Sequence, residues 1–279
     1  MSERIRKDIE HGHDDSDVVK SIIKGFQILG LFTHSDAHLT FSDIKRRTKM
    51  PNGSLYRFLT TMTMLDVLEF DPVSKRYSLG YRLILFGDIA SRSADLVNVA
   101  LPYMERIKSR INETVSLFVR RGHKKVCLHR IESDFAVRYI SLVGEASHLH
   151  SGASGKVLMA GMTKEEIDEL ERVEGFPAIT ANTLTTRESI EEVLEQVRQC
   201  GYAISYAERN ASSAGIGRPV FGKDGTVVAC LNITLPSERY NEEKIPLWLE
   251  LLGESTLEIS KRLGFEGVAE IQARLIRSV

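Results

Sequence analysis

The amino-acid sequence predicts an α+β protein in two parts, an N-terminal winged helix-turn-helix domain and a larger C-terminal domain, joined by a linker helix. Three observations support this. The chain has 279 residues, which is enough for two domains. Residues 18–80 contain three amphipathic helical segments followed by a hairpin pattern. From Thr114 onward, segments with a period of two lie among the helical ones.

The predicted parts are a flexible polar arm at 1–17, the winged helix-turn-helix at 18–80, the linker helix at 81–100 and the C-terminal domain at 101–279. Composition is that of an ordinary globular protein, with 42% hydrophobic and 27% charged residues and a net charge of −1. Cys127, Cys200 and Cys230 form no C-x-x-C pair, so we expect free cysteines. No secretory signal and no run of about 18 apolar residues occurs, and we therefore expect a cytoplasmic protein without a membrane partner.

The N-terminal elements follow from helical spacing and from residues that begin and end helices. The predicted segments are a helix at Val18–Phe32, a helix at Asp43–Thr48, a helix from Ser54, and strands at Val67–Phe70 and Arg76–Leu79. Thr40 or Ser42 can cap the second helix. Met50–Ser54 contains proline and glycine, which end one helix and permit a turn. This order of elements is typical of a winged helix-turn-helix.

The same segment is basic although the whole chain is not. Between Lys20 and Arg82 there are ten basic and five acidic residues, an excess of five positive charges. The excess concentrates on the helix before the turn, the third helix and the wing, which are the parts of this motif that face a phosphate backbone. The candidate DNA-binding residues are Lys45, Arg46, Arg47, Asn52, Ser54, Tyr56, Arg57, Lys75 and Arg76.

Their chemistry fits the reading of double-stranded DNA. Asn52 and Arg57 can contact adenine and guanine edges, while Ser54 and Tyr56 can reach phosphates from what we take as the first turn of the third helix. The alternative is a three-helix bundle with an ordinary solvated basic face.

The C-terminal part alternates strands with helices. Pro102 suggests that a linker helix from Tyr81 to about Ser91 is followed by a second helix from about Leu101. The predicted strands are Thr114–Arg120, Val126–Ile131, Val137–Val143, Tyr202–Tyr206, Gly217–Phe221 and Val227–Leu235. The predicted helices are Ala153–Ala160, Thr163–Val173, Thr186–Cys200 and Glu242–Leu263.

Several segments together resemble the IclR family of bacterial transcription regulators over nearly the full length. They are VVKSIIKGFQILGLF, LTFSDIKRRTKMPNGSLYRFLTTMTMLDVLEFDPVSKRYSLGYRLILFG, TVSLFVRRGHKKVCLHRIES, LHSGASGKVLMA, GYAISYAE and IGRPVFGKDGTVVACLNITLP. The resemblance implies a GAF-like effector-binding domain and dimers, or dimers of dimers, on palindromic operators. It also implies effector contacts at Tyr139, Ala153, Ser154, Ser205, Ser213, Gly215, Asn232 and Thr234.

The residues themselves agree with a ligand site in part. The small polar run His150–Lys156 leads into a helix, whose free amides favour an anion. Asn232 and Thr234 alternate on one strand and therefore point the same way. The alternative is that these are ordinary strand and capping residues.

The chain departs from the family pattern at both sites. Asn52 replaces a lysine and Gly53 is unusual so early in a reading helix, which puts the operator sequence in question. Gly215 stands where relatives have cysteine, Ser205 at an acidic position, and Arg218 at a small one, so we expect a different effector.

The sequence therefore predicts a DNA-binding regulator, taken as a repressor, whose operator affinity changes when a small organic acid or related carbonyl metabolite binds. His148 and His150 could hold a metal at strand spacing, but packing or surface histidines are favoured. No catalytic set of nucleophile and base is visible, and no cofactor or metal is expected. The alternative is a small-molecule enzyme with an N-terminal interaction module.

Overall fold

The computed structural model describes residues 19–33, 35–92, 95–139 and 141–267. The chain divides into two compact units, Met1–Ser93 and Ala94–Val279. The polar arm predicted at residues 1–17 lies outside the described residues.

The N-terminal unit has the predicted order of helices and hairpin. Its elements are α1 (Lys20–Leu29), β1 (Leu39–Thr40), α2 (Phe41–Thr48), α3 (Asn52–Met64), β2 (Leu68–Asp71), β3 (Arg76–Leu79) and α4 (Arg82–Arg92). The strands form a small antiparallel sheet in the order β1-β3-β2. Ile28, Ile44, Leu55 and Leu59 are fully buried together, so one apolar core holds the three helices. The prediction had no strand at β1, because two residues are too few to show alternation.

Helix α2 begins at a capping box. The Thr40 hydroxyl accepts from the Asp43 N–H at 3.2 Å, and the Thr40 N–H donates to Asp43 Oδ2 at 3.2 Å. Thr40 is therefore the cap, and Ser42 lies inside the helix. The helix ends where Lys49 adopts a left-handed backbone with φ 57°. Pro51 then precedes α3 as its N-cap, and its carbonyl accepts from the Leu55 N–H at 2.9 Å. The helix itself begins at Asn52, two residues earlier than predicted.

The C-terminal unit is built on one six-stranded antiparallel sheet in the order β6-β5-β4-β9-β8-β7. The elements are α5 (Asp95–Ile111), β4 (Thr114–Arg121), β5 (Lys124–Ile131), β6 (Ala146–His148), α6 (Ala153–Ala160), α7 (Lys164–Glu174), α8 (Arg187–Cys200), β7 (Ala203–Tyr206), β8 (Ser213–Phe221), β9 (Val227–Pro236) and α9 (Ile245–Arg262). Two short 3-10 turns, Ser237–Arg239 and Glu242–Lys244, precede α9, which explains why that helix begins later than predicted.

The sheet has two differently covered faces. One face packs against α5 and α9, where Met104, Ile107 and Leu252 are fully buried. The other face packs against α6, α7 and α8 and carries Phe118, Cys127 and Cys230. Alternation along the strands therefore decides which side chains reach the α6 side.

Two predictions about this unit are wrong. Val137–Val143 is not a strand in its described residues, and Ala146–His148 forms the sheet edge instead. Val137 lies in a loop, where its carbonyl accepts from Arg239 at 2.8 Å. Helix α5 begins at Asp95 and runs through Pro102, not from Leu101. A proline removes one helical hydrogen bond, and the continuous buried face of Val97, Ala100 and Met104 outweighs that loss.

Replacing Thr40 by alanine should destabilise α2 by about 1 kcal/mol, because the Asp43 N–H loses the hydroxyl that accepts from it. Ser42→Ala is the matched control and should change the stability by only a few tenths of that value, since Ser42 makes no capping bond. Native-state hydrogen exchange of the α2 amides measures both variants. Equal effects of the two substitutions would contradict the assigned cap.

Candidate functional site

Helix α3 has one buried and one exposed face. Leu55, Leu59 and Met62 are buried in the core of the N-terminal unit. The exposed side chains are Asn52, Tyr56, Arg57, Thr60, Thr61 and Met64, which recur at helical spacing. Ser54 is half-buried. Asn52 and Ser54 occupy the first turn as predicted, whereas Tyr56 and Arg57 lie one turn further into the helix.

Basic side chains lie on the neighbouring elements of the same unit. Lys45, Arg46 and Arg47 are exposed on α2. Arg46 pairs with Asp43 at 2.9 Å and Arg47 with Asp36 at 2.8 Å, so both guanidiniums are oriented by acids of the protein.

The wing carries the remaining basic residues. Lys75 stands at the turn with a left-handed backbone of φ 53°, and Arg76 begins β3. Both side chains are exposed. Arg57 makes no ion pair with the described residues, and its guanidinium is available to a partner. The exposed face of α3 together with these basic side chains is called the basic face below.

The C-terminal unit contains a cavity between the sheet and the start of α6. Its free volume is about 30 Å³, well below the roughly 300–1,000 Å³ of small-molecule sites, so a ligand of that size requires the lining to move. All eight residues predicted as effector contacts line it: Tyr139, Ala153, Ser154, Ser205, Ser213, Gly215, Asn232 and Thr234. Wider, more open depressions at 238–244 and beside Phe70 have no buried polar side chains among their linings.

Strand register explains why these residues meet. Ser205 lies opposite Gly215, and Gly215 lies opposite Thr234, so three small residues form one row across three strands. The next row places Gly217 opposite Asn232, and Asn232 opposite Ser116. Small side chains in adjacent rows leave the space that the cavity occupies.

Helix α6 approaches the sheet closely above these rows. Gly152 starts it with φ 80°, a conformation that favours glycine. A Cβ on Gly155 would lie 1.8 Å from the Leu149 carbonyl oxygen, which no side chain permits. The first helical amides, at Ala153 and Ser154, therefore lie at the cavity wall.

A buried ion pair holds this helix in place. Lys156 Nζ contacts Glu208 Oε1 at 2.5 Å and donates to the Ile204 carbonyl at 2.7 Å. Glu208 Oε2 also accepts from the Gly152 N–H at 3.0 Å. Both side chains are at most 10% exposed. The pair thus fixes both ends of the first turn of α6 to the segment after β7.

The structure adds cavity residues that the sequence analysis missed, notably Lys125 and Arg209. Lys125 is 1% exposed and donates to the Ser151 carbonyl. Burial, together with the charge of Arg209, lowers the pKa of Lys125 to about 7. Arg209 donates to Ser141 Oγ at 3.1 Å and pairs with Glu145 at 2.8 Å. The sequence did hold a signal for Lys125. It lies two residues before the apolar Cys127 on the same strand face, and lysine is rarely buried on such a face.

Arg218 does not line the cavity, which corrects the prediction that it alters the effector. It lies on the opposite face of the sheet, which it shares with Ile216 and Val220. That face packs against α5 and α9. Its guanidinium lies 5.7 Å from the centre of the Tyr202 ring, and burial lowers its pKa to about 10.

The histidine pair is engaged in packing contacts. His148 Nδ1 lies 3.0 Å from Lys124 Nζ, and His150 Nε2 lies 3.0 Å from the Pro177 carbonyl oxygen. Burial lowers the pKa of His150, which favours its neutral form. Within the described residues, no group of three or more His, Cys, Asp or Glu side chains could hold a metal ion.

Comparison with known proteins gives the family. Residues 21–72 match the model of the IclR helix-turn-helix domain, and residues 89–261 match that of the bacterial transcriptional regulator IclR C-terminal domain. The HTH-type transcriptional regulator KdgR of Escherichia coli (strain K12) is 32% identical over 250 residues, covering 89% of this chain and 94% of the relative. KipR of Bacillus subtilis (strain 168), also an HTH-type transcriptional regulator, is 29% identical over 246 residues, or 88% and 98%.

A solved relative agrees in fold. The crystal structure of an IclR homolog complexed with 4-hydroxybenzoate, from Microbacterium hydrocarbonoxydans, has a TM-score of 0.76 and 26% identity, over 87% of this chain and 98% of that one. Among the described residues, no helix is long and apolar enough to cross a membrane.

A helix-turn-helix unit followed by an α+β unit of the GAF-like kind defines a two-part, DNA-binding transcriptional regulator. The chain belongs to the IclR family. Its relatives are regulators, which agrees with the prediction that the chain is not an enzyme and gives no support to the enzymatic alternative.

Replacing Glu208 by glutamine should lower the free energy of unfolding of the C-terminal unit by about 3–5 kcal/mol, because Lys156 would remain buried without its counter-charge. Glu254→Gln is the control, since Glu254 pairs with Arg106 at 3.5 Å and both side chains are about half exposed. That substitution should cost less than about 1 kcal/mol. Urea unfolding followed by the fluorescence of Trp248, which is 3% exposed in α9, measures both. Similar losses in the two variants would argue against the role of the Lys156–Glu208 pair.

Proposed function

We propose that the basic face binds operator DNA, with α3 in the major groove and Lys45–Arg47 and Lys75–Arg76 on the phosphate backbone. The supporting observation is that Asn52, Tyr56 and Arg57 project from α3 opposite its buried side. Asparagine and arginine can form two hydrogen bonds to one base edge, while the lysines supply charge without sequence preference.

The cavity is proposed as the effector site, with the eight residues of its lining as contacts. The observation behind this is their convergence at the start of a helix, where free amides favour an anion. The Microbacterium relative holds an aromatic hydroxy acid, which supports a small organic acid as the ligand class. The acid would change the affinity of the chain for its operator.

We further propose that the regulator works in the cytoplasm as a dimer or tetramer on a palindromic operator. A two-fold symmetric protein places two reading helices one helical turn of DNA apart, so its site has matching symmetry. Repression remains the predicted sign of regulation; a reporter fused to the operator should become more active when the gene is deleted.

Arg57→Ala should lower operator affinity about tenfold to hundredfold, the loss of one base-reading arginine. Gel-shift titration against the region upstream of the gene measures it. Arg110→Ala, at an exposed position of α5, is the charge-matched control and should bind normally. Wild-type affinity of Arg57→Ala would refute α3 as the reading helix.

The operator complex should contain an even number of chains, and its footprint should be palindromic. Light scattering of the complex and nuclease protection of the same fragment measure these two properties. One chain on an asymmetric site would exclude the symmetric arrangement.

A further inference from the structure

Lys125 is the least expected side chain of the cavity, because none of the carboxylates in the described residues forms an ion pair with it. It extends from β5 beneath the start of α6, and its Nζ would lie 3.2 Å from a Cβ on Gly155 and 3.5 Å from one on Gly152. Its hydrogen bond to the Ser151 carbonyl satisfies one of its three protons. The ammonium thus lies beside the amide end of a helix, which is itself partly positive.

The charges around the cavity do not balance. Three cationic side chains lie at or beside it: Lys125 and Arg209 in its lining, and Lys156 on the first turn of α6. Two carboxylates oppose them, since Glu208 pairs with Lys156 and Glu145 pairs with Arg209. One positive charge therefore remains without an opposite charge in a site where burying a charge is costly. A ligand with a single negative charge would complete the set.

A second observation concerns hydrogen bonding. The amide of Asn232, which is 4% exposed, donates to the Thr234 hydroxyl at 2.7 Å and to the Ile233 carbonyl at 3.0 Å. Its Oδ1 accepts from no described group, and the Oγ of the neighbouring Ser116 has no partner either. Buried polar atoms are nearly always satisfied, so Oδ1 lacks a donor that a ligand hydroxyl would supply.

We propose that Lys125 and Asn232 select the ligand of this cavity as a small hydroxylated monocarboxylate: Lys125 pairs with its carboxylate at the start of α6, and Asn232 Oδ1 accepts a hydrogen bond from its hydroxyl group. The proposal rests on the cavity being the effector site and specifies the charge and polarity of the ligand. Lys125 and Asn232 then act as specificity-determining residues.

Binding of such an acid is coupled to a proton. Burial lowers the pKa of Lys125 most; Arg209 and Lys156 lower it further, and Cys230 and Glu208 raise it. Burial also lowers the pKa of His150 nearby. The pKa of Lys125 is about 7 in the empty cavity, and a bound carboxylate raises it. Above pH 7 the protein must therefore take up a proton to bind, and affinity should fall by about tenfold for each pH unit. Below pH 7 the affinity should be nearly constant until the carboxylate itself is protonated.

The test uses the full-length protein and four acids with their amides: lactate, glycerate, gluconate and 4-hydroxybenzoate, against lactamide, glyceramide, gluconamide and 4-hydroxybenzamide. At least one acid should raise the melting temperature by mass action, and its amide should not. An amide as effective as its acid would overturn the charge assignment while leaving the cavity a ligand site. Failure of all four acids would overturn the proposed ligand class. DNA binding by the Arg57 variant is measured separately and tests the proposed function by itself.

Lys125→Met should weaken binding of the active acid at least tenfold, while its ligand-free melting temperature stays equal or rises, because a buried unpaired charge is removed. Lys244→Met, at an exposed position, is the control and should bind as the wild type does. Asn232→Ala should weaken the hydroxy acid more than the same acid without its hydroxyl group. Unchanged affinity in Lys125→Met would overturn the proposal.

Calorimetry of the wild type in buffers of different ionisation enthalpy decides the matter if Lys125→Met does not fold. Proton uptake for each bound acid should approach one at about pH 8.5 and fall towards zero at about pH 6. Equal uptake at both pH values would contradict the pairing with Lys125.

Discussion

The close approach of α6 to the sheet is the constraint on which the C-terminal unit depends. A Cβ on Gly155 would lie 3.2 Å from Lys125 Nζ of β5, and a Cβ on Gly217 of β8 would lie 3.5 Å from the backbone of Ala153 at the start of the helix. Because the helix lies close to the sheet, Lys156 forms its ion pair with Glu208. For the same reason the first residues of the helix line one cavity with the small residues of β7, β8 and β9. Core packing, a buried ion pair and the ligand cavity are thus three results of one contact between a helix and a sheet.

Most of the fold could be predicted because its signals are local. Thr163 and Thr186, where the predicted helices begin, cap α7 and α8, and five of the six predicted strands of the C-terminal unit form. Errors arose where distant contacts decide the outcome. Pro102 stays inside α5 because a long apolar face is buried on both sides of it, and Val137 lies in a loop, where its carbonyl accepts from the distant Arg239. Neither partner is visible from the neighbouring sequence.

The candidate site was predicted unevenly for a related reason. Resemblance supplied eight residues that the structure brings around one cavity, since family motifs carry information on which strands are neighbours. It could not supply Lys125 or Arg209, because the motifs used did not mark either position. Arg218 was misassigned because the predicted strand began only at Gly217, whereas β8 begins at Ser213. It lies three residues from Gly215 on one strand, and an odd spacing places two side chains on opposite faces.

Gly215 shows how such a protein can change its chemical preference. A Cβ at this position would lie 3.5 Å from both the Ile233 carbonyl and Ser205 Oγ, an ordinary contact that strains nothing. The backbone therefore tolerates a small side chain at this position. That side chain would, however, reduce the volume left for a ligand. A single codon can reshape the chamber without affecting folding, so ligand preference in this lineage can diverge faster than architecture.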